Sequence, residues 1–308
     1  MKAVLLRGHG GPEMLEYGEA SDPIANADEI VVDVYAASVN AADYKVRIGK
    51  GRYRLHRFPY ILGRDFSGLV IRVGQGVTDF SVGDPVFGVT DQGIEGAYAE
   101  KIAIKAALVA RKPDRLSHAE AAALALTSLT ALTALEDTAH LKAGETIVIQ
   151  GGAGGVASFA IQLAKHIGAK VITTASAKNH RYVSELGADH VIDYNIEDFA
   201  KIDRICDVVF DTVGGDVRSG CYDVLKPGGK LVWIAPGPEG FTPNRVDVQT
   251  LRPDVKRDRA HLERVVALVE VGAVRPPTIT EYRLADAAEA HRVSESRHLQ
   301  GKLVLKVR

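Results

Sequence analysis

The sequence predicts an α/β protein in which a parallel, helix-covered domain is inserted between two parts of a β-rich domain. Three observations predict it. The first 110 residues carry short β-type runs bounded by Gly, Pro and Asp. From Ser117 the chain turns Ala- and Leu-rich and then alternates strand-like with helix-like stretches, and after Pro276 and Pro277 it returns to β. The expected boundaries are 1–116 with 273–308 for the β-rich domain and 117–272 for the α/β domain. No internal repeat or low-complexity tract cuts across this plan.

The β-type runs are EIVVDVYA from Glu29, GLVIRVG from Gly68 and DPVFGV from Asp84. The helix SHAEAAALALTSLTALTALE opens on Ser117 with Glu120 three residues later, the spacing of a capping box. Then come ETIVIQ, a stretch with Val156, Ala160, Leu163, Ala164 and Ile167 on one helical face, Gly168 as its stop, and KVITT. That is a βαβ unit. HVIDY from His190, DVVFD from Asp207 and KLVWI from Lys230 are short apolar runs without alternation, as strands covered on both faces require. RVDVQTL from Arg245 reads as a last strand of this region, RAHLERVVALVEVG from Arg259 as a long helix, and GKLVLKV as the closing β run.

A length of 308 residues suits two domains, and 46% apolar with 25% charged residues is the balance of a chain that buries a core. With 38 basic and 39 acidic side chains the formal charge is -1, so no general attraction to nucleic acid or anionic lipid is expected. Two cysteines, Cys206 and Cys221, exclude an intrachain disulfide framework or a four-cysteine zinc site. The ten histidines show no paired metal spacing. Met1 leads into KAVLLRGHGGPE, without the apolar core of a signal peptide, and the Ala-rich run near Ala121 is broken by Thr127, Ser128 and Thr130. A cytoplasmic protein is expected.

Between ETIVIQ and its helix lies GGAGGVA, which reads G-x-G-x-x-A with Gly152, Gly154 and Ala157 in the three positions. A pyrophosphate needs backbone N–H groups aimed at it from a helix N-terminus, and side chains at the turn would hold it away. Within a βαβ unit this makes Gly152, Ala153, Gly154, Gly155 and Val156 a dinucleotide-phosphate turn. An NAD site carries Asp or Glu about 20 residues after the first glycine, to accept from the ribose 2′-OH. Here the strand ends Thr173, Thr174, Ala175, Ser176, Ala177, Lys178, and Arg181 follows. Ser176, Lys178 and Arg181 suit a 2′-phosphate, so NADPH is expected rather than NADH; the plain alternative for Lys178 and Arg181 is a solvated helix surface.

With this order of domains, the strings SVNAADYKVRIG from Ser38, FPYILGRDFSG from Phe58, GAYAE from Gly96, GGAGGVA, LGADHVIDY, FDTVGG and KPGGKLV from Lys226 span nearly the whole chain. Through them it resembles the zinc-independent quinone oxidoreductase (zeta-crystallin-like) branch of the medium-chain dehydrogenase/reductase superfamily. The resemblance implies a GroES-like β-rich catalytic domain and a Rossmann doubly wound parallel-sheet domain. It also places Thr130, Thr212, Val213, Ile234 and Ala235 beside the nicotinamide, with Thr174 at the second strand's end and Tyr194 near the adenosine phosphate. Zinc-dependent relatives carry Cys where this chain has Asn40, and Gly-His-Glu where it has Gly63, Arg64 and Asp65. Asn is a poor zinc ligand and Arg repels the cation, so no metal is expected.

Without a Lewis acid, conjugated acceptors are the easier substrates, because their π-systems spread the incoming hydride's charge onto oxygen. The expected activity is NADPH-dependent reduction of quinones or related α,β-unsaturated carbonyls (enones). Donor candidates are Asn40, Tyr44, Lys45 and Arg64, in segments that the resemblance places near the nicotinamide. Three of them have a structural alternative: an Arg64–Asp65 ion pair, a core Tyr44, a solvated Lys45. Two other functions stand beside this one, an NADPH-binding regulator without turnover and a zinc alcohol dehydrogenase. The resemblance further implies a homodimer, with RVDVQTL a candidate edge.

Overall fold

The computed structural model describes residues 1–49, 54–203, 205–243 and 245–308. In chain order the N-terminal elements are β1 (Lys2–Leu6), β2 (Leu15–Glu19), β3 (Glu29–Val39), α1 (Ala41–Ile48), β4 (Tyr60–Ile61), β5 (Asp65–Val73), β6 (Pro85–Val89), β7 (Lys101–Lys105) and β8 (Val109–Arg111). Then come α2 (His118–Leu132), β9 (Thr146–Ile149), α3 (Gly155–Ile167), β10 (Lys170–Ala175), α4 (His180–Glu185), β11 (His190–Asp193), β12 (Cys206–Asp211), α5 (Val217–Asp223), β13 (Leu225–Trp233) and β14 (Gln249–Leu251). The chain closes with α6 (Arg259–Glu270), β15 (Ile279–Arg283), α7 (Ala287–Glu295) and β16 (Lys302–Lys306).

Two compact units result, one of residues 1–126, 257–270 and 276–308, the other of 127–256 and 271–275. In the first, β15, β16, β3, β5, β6 and β8 follow one another across a sheet to which β7 adds by pairing with β3, and β2-β1-β4 form a small second sheet. The eleven residues of β3 serve three partners: Ile30–Ala37 pair with β5, while Glu29–Asp33 pair with β7 and Ala36–Val39 pair antiparallel with β16. Leu303 thereby lies opposite Val39, which sets the C-terminal strand beside residue 40. Val32, Val34, Leu62, Phe66, Tyr98 and Leu305 lie in its core.

The central unit carries a six-stranded sheet in the order β11-β10-β9-β12-β13-β14, all neighbours parallel. Counted from β9 this is 3-2-1-4-5-6, the doubly wound arrangement. Its switch point lies where β9 and β12 run side by side, so the turns after Ile149 and Asp211 leave the sheet together. β10 reads KVITTA with every residue but the first buried, as a strand covered on both faces must be. Gly168 ends α3 at φ 96°, the left-handed stop its residue type allows. Cys206 and Cys221 are buried free thiols, and burial pushes the Cys206 thiol up to about 12.

Two segments differ from the sequence reading. α6, expected within 117–272, packs on β8: Arg259 donates to the carbonyls of Ala106 and Val109 and pairs with Asp79, and Arg115 donates to Val269 O. Of RVDVQTL only Gln249–Leu251 pairs as strand, because Arg245 is turned onto the carbonyls of Tyr222 and Leu225 at 2.7 Å. The Ser117–Glu120 capping box is present, with Ser117 N–H donating to Glu120 at 2.8 Å and Glu120 N–H to Ser117 Oγ at 3.2 Å. His118–Thr138 is apolar and long enough to cross a membrane, yet 78% of its most apolar window is buried inside the protein, as in a core helix.

Candidate functional site

In the central unit, the chain leaves β9 through Gln150 into the glycine turn, and Gly154 caps α3. The first-turn N–H groups of Gly155, Val156 and Ala157 have no acceptor inside the helix, which leaves them for a bound anion. The turn is built to stay open. Gly151 takes φ 68°, and its N–H donates to Thr174 Oγ1 at 3.0 Å, while Gly152 N–H donates to Thr174 O at 2.9 Å. A Cβ on Gly152 would stand 2.3 Å from Thr173 Oγ1, so the helix start can approach β10 only with glycine there. These residues fit a pyrophosphate. The positive-φ turn residue is Gly151, which the G-x-G-x-x-A phasing passes over.

Thr174 is buried, with Oγ1 also donating to Gln150 Oε1 at 2.8 Å, so it braces the turn from beneath. Past it, Ser176 is half-buried and Lys178 exposed. Arg181 has a side chain 91% exposed that pairs with Glu185 at 2.7 Å, the solvated-helix alternative. Tyr194 is 49% exposed just after β11. One carboxylate near this end escapes the sequence reading: Asp193 lies opposite Ala175 and accepts from Asn195 N and Nδ2 at 3.0 and 2.8 Å. Those hydrogen bonds, led by the Asn195 backbone, hold it below the usual carboxylate range.

At the switch point Thr212 Oγ1 donates to Gln150 O at 2.7 Å, tying the two turns together. Val213 is 44% exposed, an apolar side chain left outside the core. Ile234 and Ala235 are half-buried after β13, and Thr130 is buried on α2. Beneath them lies a pair the sequence does not single out: the fully buried Asp211 accepts from Val213 N and Gly214 N at 3.0 and 2.8 Å and from Arg218 Nε at 2.7 Å. Arg218 also donates to Ala235 O, and its guanidinium lies 4.8 Å over the Trp233 ring.

In the β-rich unit, Asn40 caps α1, and its N–H donates to Asp43 Oδ2 at 2.9 Å. Its side-chain Nδ2 donates to Asp65 Oδ1 at 2.8 Å, and Oδ1 accepts from Lys302 Nζ at 2.7 Å. Tyr44 is 7% exposed and Lys45 half-buried on the same helix. Arg64 does not pair with Asp65. Its Nε donates to Glu95 Oε1 at 2.8 Å, its second nitrogen lies 2.7 Å from the same oxygen, and Asp43 Oδ1 is 3.5 Å away. Burial, with Asp43 nearby, raises the Glu95 carboxyl to about 7 against the pull of Arg64. Among the described residues no three His, Cys, Asp or Glu gather as a metal-binding group.

Asp43, raised chiefly by burial, accepts from Tyr98 OH at 2.7 Å, and the Tyr98 ring meets that of His291 edge-on at 5.8 Å. His291 is fully buried, its Nδ1 facing Arg47 Nε at 3.3 Å. Burial, then the Arg47 charge, holds it down from 6.5 to about 3. The folded chain therefore keeps His291 neutral while the unfolded chain protonates it below 6.5, so this stability is complete above that pH and is lost as pH falls toward 3. The full loss is on the order of 5 kcal/mol. His291→Gln is expected to flatten this acid limb, read as thermal midpoints from about pH 4.5 to about pH 7.

Residues 26–114 match the family described as alcohol dehydrogenase GroES-like domain, and residues 186–305 match the one described as zinc-binding dehydrogenase. Over 318 residues the chain is 34% identical to NADPH-dependent alkenal/one oxidoreductase, chloroplastic, of Arabidopsis thaliana, covering 99% of this chain and 79% of that protein. The solved quinone oxidoreductase from Coxiella burnetii superposes with a TM-score of 0.91 at 35% identity, over 100% of this chain and 99% of that one. The Escherichia coli quinone oxidoreductase complexed with NADPH gives 0.87 at 30% identity, over 100% of both chains.

Proposed function

Because the chain belongs to the quinone oxidoreductase family of the medium-chain dehydrogenase/reductase superfamily, we propose that it is an NADPH-dependent, zinc-independent reductase of quinones and α,β-unsaturated carbonyls. The observation that carries the reading is the open glycine turn at the sheet's switch point, followed by a β10 end that offers Ser176 and Lys178. Asp193, the carboxylate nearby, is already engaged by Asn195.

When bound, NADPH supplies the hydride. The N–H groups of Gly155, Val156 and Ala157 hold its pyrophosphate, Ser176 and Lys178 its 2′-phosphate, and Tyr194 borders the adenosine end. Thr130, Thr212, Val213, Ile234 and Ala235 line the nicotinamide face. Asn40 Nδ2 donates to the substrate oxygen as negative charge gathers there. Arg64, held by Glu95 and Asp43, contributes positive field rather than a proton, and Tyr44 and Lys45 remain the donor candidates of α1. An amide and a guanidinium already bonded to neighbours stand at the positions where zinc-dependent relatives carry ligands. The partners are small conjugated acceptors and a second copy of the chain, met at the edge strand β14, with no nucleic acid or membrane, in the cytoplasm.

Following NADPH and NADH absorbance across a panel of quinones, enones and alkenals tests the reading. NADPH oxidation by conjugated acceptors, at least about tenfold more efficient than with NADH, is expected. Tight NADPH binding without oxidation by any acceptor would place the protein with the non-catalytic regulators, and stoichiometric zinc would revive the alcohol dehydrogenase. Ser176→Asp puts a carboxylate against the 2′-phosphate and is expected to raise KM for NADPH about tenfold or more, with KM for NADH changed by less than about threefold.

A further inference from the structure

Lys302 is one of the most buried charges in the β-rich unit, at 5% exposure. Its ammonium donates to Val39 O at 2.8 Å and to Asn40 Oδ1 at 2.7 Å. It arrives there by register: Leu303 pairs with Val39, so the residue before Leu303 meets the residue after Val39. Gly301 fixes that approach at φ 73°, where a Cβ would stand 1.9 Å from Thr278 O. A buried ammonium is costly without partners, and the charges of Asp65 and Asp43 work against the lowering that burial imposes on it.

An asparagine amide ordinarily leaves open which end is oxygen. Here chemistry decides at both ends. An ammonium only donates, so the atom beside it must be Oδ1; an ionised carboxylate only accepts, so the atom beside Asp65 must be Nδ2. Turning the amide over would set NH2 against ammonium and C=O against carboxylate, losing two charge-assisted bonds together. One Nδ2 proton goes to Asp65. The other faces Ser38 O at 3.5 Å, too long for a good bond, and stays available on a half-buried side chain.

We propose that Lys302 is a positioning residue, clamping the Asn40 amide with Asp65 so that Nδ2 and not Oδ1 is presented to the substrate oxygen. The role rests on the reading of Asn40 as that oxygen's donor. With Oδ1 held by a cation the amide is also polarised toward its N–H end, which strengthens the donor where enolate or quinol charge gathers. Presenting Oδ1 instead would repel that charge.

Lys302→Met keeps the apolar stem and removes the ammonium. It is expected to lower kcat/KM for a quinone or enone about 10- to 100-fold, with KM for NADPH changed less than about twofold. A second readout needs no turnover: the side-chain amide 15N–1H pair of Asn40, assigned by its disappearance in Asn40→Ala. In Lys302→Met that pair is expected to shift and to broaden by exchange. The double variant Lys302→Met/Asn40→Ala is expected to be no slower than Asn40→Ala alone, because Lys302 acts through the amide. Should Lys302→Met fail to fold by circular dichroism, Lys302→Gln, which keeps a neutral donor, gives the same comparison and an intermediate loss. An unmoved amide pair overturns the clamp, and a moved pair with unchanged turnover overturns its role in the reaction. If the wild type reduces no quinone or enone, the functional reading fails instead, recognisable because the amide pair still responds to Lys302→Met.

Discussion

Gly152→Val is expected to abolish cofactor binding, raising the dissociation constant for NADPH about 100-fold or more in a fluorescence titration, roughly 3 kcal/mol. The new Cβ would meet Thr173 Oγ1 at 2.3 Å and Cγ2 at 3.1 Å. Thr173 cannot step aside, because it is fully buried and its Oγ1 donates to Ile149 O at 2.7 Å. The strain therefore falls on the turn itself, breaking the Gly152 N–H bond to Thr174 O and moving the helix start whose N–H groups hold the phosphates. Gly8→Ala, at a glycine with nothing within 4 Å, serves as the contrast and is expected to leave binding unchanged. A folded Gly152→Val protein that holds NADPH as tightly as the wild type would remove this turn from the cofactor site.

That turn is legible in the sequence because its demands are local: a strand, glycines where a helix start must approach closely, and an apolar helical face, all within about 25 residues. Even so, adjacent glycines leave the phase open, and the positive φ falls on Gly151. What pattern reading misses are groups joined across the chain. Lys302 meets Asn40 over 262 positions, and His291 meets Arg47 over 244. Within its own window, GKLVLKV reads as an ordinary strand with a solvated lysine. Arg64 is misjudged in the opposite direction. Asp65 follows it directly, but Asp65 opens β5 and accepts from Asn40, while Arg64 precedes the strand and its guanidinium finds Glu95 instead. The placement of α6 fails for the same reason, since Arg259 bonds to Ala106, Val109 and Asp79, which no periodicity announces.

Arg218→Leu is expected to cost the central unit about 3–5 kcal/mol, because it leaves the Asp211 carboxylate buried without its counter-charge. Thermal unfolding should register a fall on the order of 10 °C. The same change frees Ala235 O and removes the cation from the Trp233 face, so the segment after β13 loses its tie to the turn after β12. If Val213, Ile234 and Ala235 line the nicotinamide, KM for NADPH rises together with the loss of stability. The double variant Asp211→Asn/Arg218→Leu separates the two effects. Removing both charges ends the uncompensated burial, while an amide oxygen at position 211 still accepts from Val213 N and Gly214 N, so much of the lost stability should return. KM should stay high, since nothing restores the bond to Ala235 O. Recovery of both would mean that Arg218 serves the fold alone; recovery of stability without affinity would mark it as the brace that holds two loops against the cofactor.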